Sequence, residues 1–253
     1  MGKQTSMGML MAAALLLAGA AQAAGVGPRH QPGWPLPVNE RVAYGKLFAD
    51  RLERVDLDEA AWVWDAQGWY GTDRTRVWVE TEGEQALGRG GELERLDVQW
   101  SRLVAPYWDL QLGVGYRRSW GADGGRRHWS LVGGLQGLAP YWFEVDAKLR
   151  IEEEAGLGFD LEAEHDLRLT QRLYLQPRLE TRLAARAAPG LGQGAGLNHL
   201  QLGLRLRYEL RREFAPYLGW VWRRAYGGAG SALRAEGLAA EASGWVAGLR
   251  VWY

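Results

Sequence analysis

Four carboxylates recur at every second position in one short stretch: Asp160, Glu162, Glu164 and Asp166. On an extended strand that spacing puts all four on one face. An acidic ladder standing alone draws cations, as rings of carboxylates do in pores. Set against basic neighbours, it forms cross-strand ion pairs instead. The following stretch offers Arg172, Arg178 and Arg182, and the one after it Arg205 and Arg207. The preceding stretch mixes Glu144 and Asp146 with Lys148 and Arg150. A lining of mutually paired charges is the simpler reading and a cation path the sharper one. Register, which would decide between them, is not written in the sequence.

Histidine is scarce: His30, His128, His165 and His199. His128 and His199 share the parity of the charged faces, near one end of their strands, whereas His165 has the opposite parity. The candidate metal-ligating set is therefore His128 and His199 with Asp160, Glu162, Glu164 and Asp166. No catalytic residue is assigned. His128 and Ser130 sit two apart on one face, the nearest approach to a nucleophile and its base, but no G-x-S-x-G turn accompanies them. The glycine-rich stretch 190–196 has neither the lysine nor the following helix of a phosphate loop. A hydrolase is the remote alternative.

The elements that position these residues are strands. Twelve runs of period-2 alternation cover approximately 43–54, 61–70, 74–83, 92–103, 107–117, 127–137, 142–151, 157–167, 172–184, 198–209, 216–224 and 243–253. In the seventh, Phe143, Val145, Ala147, Leu149 and Ile151 oppose Glu144, Asp146, Lys148 and Arg150. A soluble β-sandwich would show the same alternation. Three features favour a barrel turned inside out. The polar faces carry both signs of charge. Short connections (71–73, 104–106, 138–141, 168–171, 210–215) alternate with long ones (84–91, 118–126, 185–197, 225–242), as in outer-membrane barrels. The chain also ends on an alternating strand closing at Tyr253. Ala-Pro-Tyr recurs at 105–107, 139–141 and 215–217, and all three copies are expected at the periplasmic rim with their tyrosines as interface anchors.

Residues 1–23 read as an export leader: Lys3, an apolar stretch Met9–Ala21 too short to span a bilayer, and Ala21-Gln22-Ala23 as a cleavage site. Residues 24–42 carry four prolines and read as an extended periplasmic segment. Residues 43–253 are the barrel: all-β, one antiparallel transmembrane unit of about twelve strands. Without the leader the 30 basic residues become 29 against 30 acidic ones, a net charge of −1 that offers no surface for nucleic acid. The four methionines all lie in the leader and cysteine is absent, so the exported chain has neither disulfides nor soft sulfur ligands.

Several ordered stretches resemble the copper resistance protein B family of outer-membrane proteins. They include Trp64-Asp65-Ala66-Gln67-Gly68-Trp69, Ala105-Pro106-Tyr107-Trp108-Asp109-Leu110-Gln111, Leu135 through Glu144, and Gly203 through Tyr217. The resemblance covers nearly all of 40–253. It implies an outer-membrane barrel of copper homeostasis that binds, sequesters or passes copper ions, is not an enzyme, contacts outer-membrane lipid, and is delivered to the insertion machinery by the strand ending at Tyr253. The family often carries a Met- and His-rich region before the barrel; residues 24–42 hold one His and no Met. A pore or structural barrel with a salt-bridged lumen and no metal role is the competing expectation.

Overall fold

The computed structural model describes residues 42–253 except 58–59, 88–89, 121–124, 190–191 and 236. The expected leader, His30 and all of the proline-rich segment but Val42 lie outside the described residues. The strands are β1 (Tyr44–Asp56), β2 (Ala60–Gly71), β3 (Thr75–Ala86), β4 (Gly91–Ala105), β5 (Trp108–Trp120) and β6 (Arg127–Ala139). They continue with β7 (Phe143–Glu152), β8 (Gly156–Glu164, extended by Leu167–Arg168), β9 (Leu173–Ala184), β10 (Gly196–Tyr208), β11 (Phe214–Ala225) and β12 (Glu241–Trp252). One helix, α1 (Gly227–Ala235), lies between β11 and β12.

Every strand pairs antiparallel with the next, and β12 returns to pair with β1, from Phe48 opposite Trp252 to Asp56 opposite Trp245. The sheet is thus a closed twelve-strand barrel with no free edge, which is what a strand wall needs in hydrocarbon. At the seam Leu47 N donates to Tyr253 O at 2.9 Å and Tyr253 N donates to Leu47 O at 2.8 Å. The side chains facing outward are apolar, among them Val98, Leu112, Val114, Leu131, Leu149, Leu204 and Leu218, all exposed on the barrel wall. The buried side chains are mostly charged or polar and face the lumen. The polarity is therefore inverted relative to a soluble domain, as lipid demands.

The start of β1, the C-terminal end of β12 and five tight turns share one end. Thr72 and Thr170 cap two of these turns, their hydroxyls accepting from Thr75 N at 3.3 Å and Leu173 N at 3.0 Å. The longer connections and α1 share the other end, although 57–59 and 153–155 are as short as the turns. Short turns mark the periplasmic side.

One expectation is corrected. The first two Ala-Pro-Tyr copies are turns, with Tyr107 and Tyr141 in the left-handed region (φ 67 for both) and Tyr141 84% exposed. The third copy lies inside β11, because residues 209–213 already make the turn and Pro216 sits in the ladder opposite Leu249. Three strand residues, Phe214 to Pro216, separate the turn from Tyr217 and put it on the lumen face, where it is buried. It is no interface anchor.

Candidate functional site

Lumen charge is set by strand parity together with two irregularities. In β1 the register shifts between Ala49 and Arg51, and in β4 between Leu93 and Leu96. Such bulges turn consecutive residues to the same side. Asp50 and Arg51 thus both face inward, as do Glu94 and Arg95.

Ion pairs cross the lumen rather than only stepping between neighbours. Arg205 of β10 donates to Glu53 of β1 through Nε at 3.1 Å and Nη2 at 2.8 Å, and the Tyr217 hydroxyl donates to the same carboxylate at 2.9 Å. Arg150 of β7 grips Asp97 of β4 in a two-pronged contact at 3.0 and 2.6 Å. Arg178 of β9 reaches Asp65 of β2 at 3.0 Å, Glu162 at 2.7 Å and Glu180 at 2.6 Å. Arg51 spans from Asp65 (3.1 Å) to Glu180 (2.9 Å) and also holds Glu82. Lys148 holds Glu80 across the lumen. Guanidinium forks meet carboxylate edges here in the geometry that makes charged hydrogen bonds strong.

At mid-height Asp146, Glu162 and Glu180 stand directly opposite one another on β7, β8 and β9. Like charges in that position repel. Arg178, Arg51 and Lys148 neutralise them at 2.6–2.9 Å. Arg95 is held differently: close to Glu82 at 2.9 Å, but 3.8 Å from Glu80 and Asp146 and 3.9 Å from Glu162.

This layer separates two spaces. A vestibule of about 320 Å3 at the turn end is lined by Phe48, Trp78 and eight carboxylates (Asp50, Asp65, Glu80, Asp109, Glu144, Asp146, Glu162, Glu164) against four guanidiniums (Arg76, Arg95, Arg178, Arg250). A pocket of about 50 Å3 on the loop side is lined by Glu82, Glu94, Asp146, Asp160, Glu162 and Glu180 with Arg95, Lys148, Arg182 and His199. Arg95, Asp146 and Glu162 line both. The two spaces are acidic by excess, and field lines in a low-dielectric wall focus that excess onto an entering cation.

The acidic ladder faces inward along its whole length, and every member is ion-paired. Asp160 lies 2.5 Å from both Arg150 and Arg182, Glu162 2.7 Å and Glu164 3.5 Å from Arg178, and Asp166 2.5 Å from Arg207. His199 shares the loop-side pocket with Asp160 and Glu162. His128 and Asp166 line neither space. Among the described residues no group of three or more His, Asp or Glu is set to hold a metal ion. The His128 Nε2 is buried with no hydrogen-bond partner, and no hydrogen bond joins it to Ser130 among the described residues. His165 faces outward and stacks on Phe143 at 4.8 Å. The alternation Glu80, Glu82, Glu84 could have disclosed the first-half ligands of this network, since it is as regular as the ladder on β8.

Residues 43–253 match the family described as copper resistance protein B precursor (CopB). The chain belongs to the copper resistance protein B family. Copper resistance protein B of Escherichia coli is 38% identical over 240 residues, covering 87% of this chain and 79% of that one. The homolog from Pseudomonas syringae pv. tomato is 36% identical over 217 residues, covering 85% and 72%. Among solved structures the NanC porin superposes with a TM-score of 0.50 at 9% identity, covering 81% of this chain and 98% of the porin, a likeness of fold alone. Like other barrels of this architecture, this copper resistance protein B relative resides in the outer membrane with its wall against lipid.

Proposed function

We propose that this barrel captures copper ions as cargo from the periplasm in its turn-end vestibule, and holds them there rather than passing them freely, with no catalytic step. The observation that carries the reading is the vestibule's lining of eight carboxylates against four guanidiniums, closed on its inner side by ion-pair bars. Its donors are carboxylate oxygens, with the imidazole of His199 beyond the bars. Oxygen and imidazole donors suit Cu(II); a Cu(I) site would seek thiolate or thioether. Glu162 and Glu164 reach the vestibule, Asp160 and His199 the pocket behind it, and His128 and Asp166 act, in this reading, only as outlying polar groups. Residues 1–23 act as the export leader, 24–42 as a periplasmic lead-in, and β12 with Tyr253 as the segment read by the insertion machinery.

Titration of the refolded mature protein with Cu(II) in a calorimeter is the test. Saturable binding, weakened in Glu162→Gln/Glu164→Gln, is expected. No saturable binding, with unchanged copper tolerance on deletion, overturns the proposal. The competing reading is an ion-paired barrel without a metal role. The pairing of every ladder carboxylate favours it, and it predicts that Cu(II) binds no better than Mg2+.

A further inference from the structure

We infer that the loop-end rim between β5 and β6 is a binding site for the phosphate group of an outer-leaflet glycolipid. Arg117 points into the lumen to Glu152 at 3.4 Å, so its neighbour Arg118 points outward, and it is exposed. Ser130 is buried on the lumen face of β6, so Trp129 and Arg127 flank that face on the outside; both are exposed. Arg118 and Arg127 are direct partners in the ladder. Two like charges in that position repel, and a strand pair gains nothing from the arrangement unless an anion sits between them. Neither arginine makes an ion pair with a described residue. By contrast Arg224, outward on β11 at the same end, has Glu241 at 3.5 Å.

The residues one pair further into the membrane supply the second half of the argument. Tyr116 and Trp129 are also ladder partners, and their rings pack at 4.7 Å with Trp129 67% exposed. Exposed aromatic rings at a barrel end mark the level where headgroups begin. The arginine pair lies two residues beyond, roughly 7 Å along the strand, at the level of the headgroup phosphates. Below the rings Val114 faces Leu131, both exposed, and the exposed Leu112 lies over Gly133, so the wall beneath is an apolar strip for an acyl chain. Guanidinium over aromatic over apolar strip matches phosphate over sugar over chain. Two guanidinium forks offer the donors that a phosphate monoester accepts.

The test uses the folded mature protein in non-ionic detergent, read by native mass spectrometry. The probes are a bisphosphorylated hexaacyl glucosamine disaccharide and its dephosphorylated form. Wild type should retain the phosphorylated probe about tenfold better, as follows from one or two charged hydrogen bonds. Arg118→Gln/Arg127→Gln should abolish that preference, whereas Arg54→Gln, a single outward arginine on the same rim, should keep it. Equal retention of the two probes by wild type overturns the inference, as does an unchanged preference in the folded double variant. Should that variant fail to fold, the wild-type preference and its loss in 0.5 M salt decide the matter alone.

Discussion

Breaking the Glu53–Arg205 contact should destabilise the barrel more than any exchange on its outer wall. Both side chains are at most 3% exposed, the two hydrogen bonds are 2.8 and 3.1 Å long, and Tyr217 adds a third at 2.9 Å. In Glu53→Leu the guanidinium of Arg205 is left buried without its partner, and removing one member of a buried pair costs ~3–5 kcal/mol. Tyr217→Phe removes only the hydroxyl contact to a charged acceptor and should cost ~1.5–3 kcal/mol. The double variant Glu53→Leu/Arg205→Met removes both charges, and should return to within ~1 kcal/mol of wild type. The assay is urea unfolding in detergent micelles followed by tryptophan fluorescence, with heat-dependent gel mobility confirming a folded start. Arg205→Met alone should likewise cost ~3–5 kcal/mol, so the double-mutant cycle is expected to show a coupling energy of ~5 kcal/mol or more. A cost below ~1 kcal/mol for Glu53→Leu, or purely additive effects, would refute the reasoning and mean that lumen water screens the pair.

Two further outcomes follow from the same geometry. Arg95 is the least tightly held bar between the two spaces, so Arg95→Gln should raise cation conductance in planar bilayers and Cu(II) affinity by about tenfold. That is a heavily discounted share of the ~4 kcal/mol a unit charge carries at 4 Å and an effective dielectric of 20; unchanged conductance would show that other bars close the lumen. At the turn, Tyr141 pays for its left-handed backbone, so Tyr141→Gly should be ~1 kcal/mol more stable than Tyr141→Ala in the urea assay; equal stabilities would mean the turn relaxes.

The twelve strands were legible because lipid on one side and a charged lumen on the other enforce alternation along most of every strand. Each boundary lies within three residues of the run read from alternation. The ladder from Asp160 to Asp166 was legible for the same reason. What escaped was whatever breaks the period. The bulges at Asp50–Arg51 and Glu94–Arg95 put adjacent residues on one face, so parity alone sends one of each pair to lipid. Ala-Pro-Tyr at 215–217 looked like its two predecessors, yet the turn had been completed by Glu213 and the tyrosine became a lumen ligand of Glu53. Partners such as Arg51 and Glu180, 129 residues apart, meet only because the sheet closes on itself, and no local pattern carries that information.

The seam between β1 and β12 also sets the order of assembly. Eleven of the twelve strand pairings join neighbours in the chain, and only this one joins the two ends. Hairpins can therefore accumulate through contacts of short sequence separation, while the last pairing must close a loop of some two hundred residues, at an entropic cost of ~5 kcal/mol. The ties from Glu53 to Arg205, from Arg51 to Glu180 and from Asp65 to Arg178 all span that gap. They form with or after closure, and so contribute to the barrier against reopening rather than to the rate of folding. The charges in the lumen thus act as a latch in time: a barrel that has shut once stays shut for as long as its bars hold.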